Sequence, residues 1–119
     1  LNNFIKNRLH SIRYACKGAY LLLKTEASIQ TQASIALIAT IAGFYYQISP
    51  TEWILQILTI ALIMSIEGLN TAVEKIADFI HPEHHYKIGF IKDIAAGAVW
   101  ISAITAIIIG AIIYIPKIF

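Results

Sequence analysis

The stretch WILQILTIALIMSIEGLNTAVEKIADFI, residues 53–80, decides the fold. Trp53 to Ile66 is apolar except for Gln56, Thr59 and Ser65, and the helical pattern then continues to Ile80 with acids embedded in it. Glu67, Asn70, Glu74 and Asp78 follow one another at intervals of three, four and four residues. At about 100° per residue they fall in one narrow stripe of a single helix face. Hydrocarbon does not tolerate such a stripe, because a charge near the bilayer centre costs ~2.5–3.5 kcal/mol even on a lenient insertion scale. The carboxylates must therefore meet water, a cation or a partner chain. A polar seam that fixes helix association would account for Asn70. It does not account for acids without basic partners, which repel, so the stripe reads as a cation-dependent site.

Upstream, Ala27 to Ile48 contains no charged residue. As a helix its length is roughly 33 Å at ~1.5 Å per residue, enough for the hydrocarbon layer. Tyr45 and Tyr46 at its far end, with Trp53 beyond the turn, suit the membrane interface. Ser49-Pro50-Thr51-Glu52 reads as that turn, with Ser49 or Thr51 available as a helix cap. Before the first span, residues 4–24 place Phe4, Ile5, Leu9, Ile12, Ala15, Cys16 and Ala19 at spacings of three and four, with charges around the rest of the circumference. This is a basic amphipathic helix suited to an anionic membrane surface. Downstream, His81-Pro82-Glu83-His84-His85 breaks the helix, Ile94 to Ile115 is again uncharged and long enough to span, and Pro116 is expected to end it. The expectation is an all-α integral membrane fold of one domain, residues 1–119: a surface helix at 4–24 and spans at about 27–48, 53–80 and 94–115. A chain that opens at Leu1 is expected to have a few residues upstream, and no cleavable signal peptide is visible.

Composition agrees. The chain has 119 residues, 58% hydrophobic and 13% charged, whereas a soluble domain is usually about half apolar and a quarter charged. A domain this small cannot bury the excess. Net charge is only +2, which gives a nucleic-acid partner little electrostatic footing. The lone Cys16 excludes an intrachain disulfide and a CxxC site. The His81, His84 and His85 cluster fits no tetrahedral zinc set and reads as a solvated loop; Gly97 and Gly110 read as close helix-packing positions.

Lys6, Arg8, Arg13, Lys17 and Lys24 precede the first span, Lys75, Lys87 and Lys92 lie in residues 75–92, before and within the loop expected at 81–93, and the 49–52 turn has no basic residue. The positive-inside rule then puts the N-terminus and the 81–93 segment in the cytoplasm and the C-terminus outside. Glu26, Glu74, Lys92 and Asp93 come to one membrane face, with Glu67 about two helical turns deeper. Mg²⁺ takes one or two carboxylates plus substrate phosphates, and a lysine meets a polyphosphate. These parts compose a phosphoryl-transfer site at headgroup depth.

The run EGLNTAVEKIAD (Glu67–Asp78), then PEHH and KDIAAGAV (Lys92–Val99), with YACKGA (Tyr14–Ala19) and Glu26 upstream, resembles the signature of the prokaryotic diacylglycerol kinase family, which includes bacterial undecaprenol kinases. The resemblance covers nearly the whole chain and implies a homotrimer in the bacterial inner membrane, with active sites shared between subunits. By it, Glu67 is the general base on a lipid hydroxyl, and Glu26 and Glu74 hold the divalent metals. Tyr14, Lys17, Glu83, His85, Lys92 and Asp93 contact ATP, and Asn70 and Asp78 support the site. Arg8 lies close to a family arginine near the nucleotide. No GxxxxGK or Gly-rich kinase loop is present, so this is no relative of the soluble kinases. Gln32 stands where the enterobacterial diacylglycerol kinases carry an acid, and Thr71 and DIAAGAV look more like the undecaprenol-kinase branch. From the residues alone, a channel or transporter subunit with an acidic ring remains the alternative.

The charge asymmetry makes topology testable. In a Cys16→Ser background, Thr51→Cys should react with an impermeant thiol reagent added outside, and Lys87→Cys only after permeabilisation. Reversed labelling would overturn the orientation.

Overall fold

A computed structural model describes residues 1–119. Four helices follow in order, α1 (Asn2–Thr25), α2 (Ala27–Tyr45), α3 (Pro50–Ile80) and α4 (Tyr86–Ile118), with no strand. The fold is all-α, and α2, α3 and α4 are long and apolar enough to cross a membrane. At ~1.5 Å rise per residue α3 is about 46 Å long, so it outruns a hydrocarbon layer of about 30 Å.

The break between α1 and α2 is local chemistry. Glu26 adopts an extended conformation (φ −103°, ψ 115°). Its N–H still donates to the Leu22 carbonyl. Gln30 reaches back from α2, its amide nitrogen donating to the carbonyls of Leu23 (3.1 Å) and Lys24 (3.0 Å). Two of the carbonyls that a helix end leaves unpaired are thereby satisfied. Beyond this junction α1 buries none of its residues. The molecule measures 50 × 48 × 22 Å. Three packed helices at 8–10 Å spacing cannot supply the second long dimension, so α1 projects sideways from the bundle. Its apolar residues Phe4, Leu9 and Ile12 are exposed, as a helix lying on a membrane requires.

The α2–α3 turn is built from two complementary caps. Ile48 N–H bonds to the Gly43 carbonyl (3.1 Å) and Gln47 N–H to the Phe44 carbonyl (3.3 Å), the pattern of a Schellman motif. Gln47 takes the left-handed position (φ 51°), and Ile48 is buried as the apolar residue that closes such a cap. Ser49 then caps α3. Its hydroxyl accepts from Glu52 N–H (3.1 Å) while Glu52 Oε1 accepts from Ser49 N–H (2.9 Å), and Pro50 occupies the first turn, where its missing N–H costs nothing.

Helix boundaries depart from the sequence reading in three places. The first span ends at Tyr45, because the Schellman cap takes up Tyr46 to Ile48. Helix α4 starts at Tyr86 rather than Ile94, so Lys92 and Asp93 are helical and the polar loop is confined to residues 81–85. Pro116 does not end α4, which runs to Ile118. In a terminal turn a proline forfeits a single hydrogen bond. Gly97 and Gly110 have open space where a Cβ would stand, so neither mediates close packing within the chain.

Gly43 does. A Cβ there would lie 2.6 Å from Trp53 Cη2 and 2.8 Å from Cζ2, because the indole crosses the end of α2. Gly43→Ala should therefore destabilise by ~1–3 kcal/mol, the usual cost of overpacking. Unfolding in mixed micelles would show it, and adding Trp53→Phe should recover most of the loss. An unaffected single variant would contradict this packing.

Candidate functional site

Near the end of the bundle remote from the α2–α3 turn, α3 carries the acids outward past Glu67. Glu67 is 8% exposed and Asn70 8%. Thr71 is buried beside them. Glu74 and Asp78, although on the same stripe, are exposed within the chain. The stripe is thus divided by depth, with its inner pair packed against neighbouring helices and its outer pair presented at the rim.

Each rim acid has its own partner. Asn70 Nδ2 donates to Glu74 Oε1 at 3.2 Å, a contact between successive helical turns. Asp78 pairs with Lys92 of α4 at 2.6 Å. Glu26, at the start of α2, lies 3.3 Å from Lys75 Nζ. That pair sets Glu26 opposite the turn of α3 that carries Glu74. Lys75 is 71% exposed, and a pair so open to solvent contributes at most ~1 kcal/mol. It can exchange for another partner without large penalty.

Glu67 differs from all of these. It is the buried carboxylate, and no lysine, arginine or histidine pairs with it in the chain. Next to it Gly68 faces Leu22, the last part of α1 before the break, with 3.0 Å between Leu22 Cδ1 and the position of a Cβ. The surface helix therefore closes over α3 beside Glu67. Asn70 Oδ1 and Gln32 Oε1 are both sealed from solvent without a hydrogen-bond partner. Native chains rarely leave such groups unpaired, and each points to a ligand, water or neighbouring chain.

The 81–85 loop is ordered by its own histidines. His81 Nδ1 lies 2.7 Å from the Glu83 carbonyl. His85 Nδ1 accepts from Lys87 N–H at 3.1 Å, which makes His85 the N-cap of α4, and its ring stacks on Tyr86. These are structural tasks, not those of a free solvated loop. Asp78, Glu83, His85 and Lys92 together border a hollow of about 230 Å³, and Asp93 borders a wider, open one of about 600 Å³.

Two groups of expected site residues emerge: Asp78 comes together with Glu83, His85 and Lys92, and Glu26 is tied to Lys75, the chain neighbour of Glu74. Arg8, Tyr14 and Lys17 do not join either. They lie on the projecting helix α1, exposed, with Arg8 over the Phe4 ring at 5.0 Å. No three His, Cys, Asp or Glu side chains of one chain cluster as a metal cage. Lys75 and Leu22 are the neighbours that sequence reasoning missed. Lys75 was legible only as a topogenic charge, since its partner depends on how α2 aligns with α3.

The fold is that of a polytopic helical membrane protein, with a buried acid, Glu67, towards one end of its spans and exposed acids and lysines beyond it. The sequence model of the prokaryotic diacylglycerol kinase family matches residues 13–114. The undecaprenol kinase of Bacillus subtilis is 38% identical over 117 residues, covering 98% of this chain and 92% of that protein. The diacylglycerol kinase of Haemophilus influenzae is 31% identical over 107 residues, 89% of this chain and 91% of its own. That of Escherichia coli K12 is 30% identical over 100 residues, 84% and 82%. The chain belongs to the prokaryotic diacylglycerol kinase family. It is a lipid kinase of a bacterial membrane, which sets aside the channel reading.

Proposed function

We propose that this kinase transfers the γ-phosphoryl group of Mg·ATP to a long-chain lipid alcohol at the cytoplasmic face of the inner membrane. The observation that carries the reading is Glu67, a carboxylate buried about two helical turns inside the rim acids and free of any cationic partner. A base for a lipid hydroxyl belongs at that depth, and a neighbouring lysine would depress its basicity. Higher identity to an undecaprenol kinase than to the diacylglycerol kinases favours undecaprenol over diacylglycerol as the alcohol.

The residues fit a divalent metal of the Mg²⁺ type. Glu26 and Glu74 offer hard oxygens on facing turns, and the Glu26–Lys75 pair is open enough to release its carboxylate. Bound Mg²⁺ would supply charge neutralisation on the phosphate oxygens. Asn70 holds the Glu74 carboxylate in place through its amide. Glu67 accepts the hydroxyl proton as the lipid oxygen bonds to phosphorus, and the bond from phosphorus to the bridging oxygen breaks, leaving ADP. Lys92 shifts from Asp78 to the phosphates, while Asp93, Glu83 and His85 border the nucleotide.

Arg8, Tyr14 and Lys17 are exposed and form no ion pair with this cluster within the chain, which supports a site completed by a neighbour. One face of α3 supports self-association too. Leu58, Ala61, Ser65, Leu69, Ala72 and Ile76 recur at spacings of three and four and all are exposed. Small residues at its centre allow close helix approach. The assembly implied is a cyclic homotrimer with α1 of one subunit lying against the site of the next.

Product identification by thin-layer chromatography, with undecaprenol and diacylglycerol supplied in parallel, tests the activity. Glu67→Gln should lower turnover by ~10²–10⁴, the range for losing a general base, with nucleotide binding preserved within a few-fold. Glu74→Gln should instead weaken Mg·ATP binding. Equal loss of nucleotide affinity in both would refute the separate roles.

Subunit mixing tests the shared site. Glu67→Ala and Glu74→Ala lie on one helix, so every site in their mixture inherits a defect and activity should stay absent. Glu67→Ala mixed with Lys92→Ala or Glu26→Ala should regain about a quarter of the sites if the members come from different chains of a cyclic trimer. No recovery by either cross-segment pair, after verified exchange, would confine those residues to one chain.

A further inference from the structure

The most buried polar contacts between spans lie far from the proposed chemistry. Gln56 of α3 is buried. Its Nε2 donates to the Ala39 carbonyl of α2 at 3.1 Å. Tyr114 of α4 donates its hydroxyl proton to Gln56 Oε1, and its Oη lies 3.1 Å from the same Ala39 carbonyl. One helical turn further out, Lys117 Nζ meets Glu52 Oε2 at 2.7 Å, while the other oxygen of Glu52 caps α3. All three spans are joined at this node.

We propose that Gln56, Tyr114 and the Glu52–Lys117 pair are positioning residues that set the axial register of α4 against α3, and so place Lys92 at the nucleotide. The inference rests on the reading of Lys92 given above.

Apolar packing alone does not specify that register. Along the less exposed face of α4, Ile109 and the buried Ile113 repeat at four residues, and so do the small Ala106 and Gly110. A slide of one turn, about 5.4 Å, replaces isoleucine by isoleucine. Near the site the tie between the two helices is the Lys92–Asp78 pair, whose side chains are 36% and 59% exposed. A pair so solvated adapts to a slide and does not resist it. At the node a slide would strip a buried amide and a half-buried phenol of their partners, and the packed helices leave water little room to replace them. Polar groups of this kind are best attested as devices for register.

Transmission is by the helix itself. No proline or glycine pair interrupts α4 between Lys92 and Tyr114, since Pro116 lies beyond the node. Those residues form a rod of about 33 Å, so an axial shift at one end appears undiminished at the other.

The test separates register from activity. In a Cys16→Ser background, spin labels replace Phe79 and Ile91, exposed positions at the inner ends of α3 and α4. Labelled subunits are diluted with unlabelled ones so that electron–electron resonance reads the distance within one chain. Tyr114→Phe combined with Gln56→Leu should shift or broaden that distance by several ångströms, up to about 5.4 Å for a full turn. The same substitutions without labels should raise KM for Mg·ATP about tenfold, with KM for the lipid and helix content little changed. Lys117→Met should act in the same direction, and Lys117→Arg, which keeps the pair, should restore the parent values. Tyr114→Phe alone is the milder variant should the double one not fold. An unchanged distance in the folded variants would overturn the proposal. A shifted distance with an unchanged KM for Mg·ATP would instead refute the nucleotide role of Lys92.

Discussion

A carboxylate cannot be left in hydrocarbon without shelter, and the arrangement of this molecule follows from where Glu67 sits. The residue occupies a helix that enters the membrane as an apolar rod and leaves it as an acidic one. Two features accommodate it: burial against the neighbouring helices, and closure of the end of α1 over Gly68 next door. Lysines stand at the rim, on Glu26 and Asp78, and none has been brought down to neutralise the buried acid. Stability alone would favour a neutral side chain there. In the proposed reaction the carboxylate provides a proton acceptor at the depth of a lipid hydroxyl.

The two ends of the bundle are built differently. Where chemistry is expected, the ties between helices are solvated ion pairs that can be remade, and two polar atoms, on Gln32 and Asn70, have no partner in the chain. At the opposite end the caps of α2 and α3 are complete, Trp53 fills the space over Gly43, and Gln56, Tyr114 and Ala39 satisfy one another. Flexibility and firmness are thus segregated along the same rods. This is the distribution expected of an enzyme whose substrates must enter and leave at one end.

Much of this was legible in the residues. The continuous helix through Glu67, Glu74 and Asp78 followed from periodicity, and its stop from His81-Pro82. A cap within Ser-Pro-Thr-Glu was visible, though the residues left it open between Ser49 and Thr51, and the structure assigns it to Ser49. The start of α4 was obscured because KIGFIKD is polar enough to pass for loop, and its cap is a histidine, outside the usual Ser, Thr, Asp and Asn signals. Pro116 misled because its position in the last turn, rather than its identity, decides its effect. What could not be read at all was register. Gln56 and Tyr114 are 58 residues apart, and Lys75 meets Glu26 only because of how two hairpin arms align. Nor could spacing alone show that the four stripe residues would divide into a buried pair and an exposed pair.

The bend between α1 and α2 has a consequence for biogenesis. Its hydrogen bonds join residues six and seven positions apart, whereas the Tyr114–Ala39 contact closes a separation of 75. Local contacts form early and distant ones late. As the chain leaves the ribosome, the elbow at Glu26 is complete once Gln30 has emerged, before α3 and α4 exist. The basic helix can therefore settle on the leaflet first and present the first span to the bilayer at a fixed attitude, so that the order of synthesis is also the order of docking.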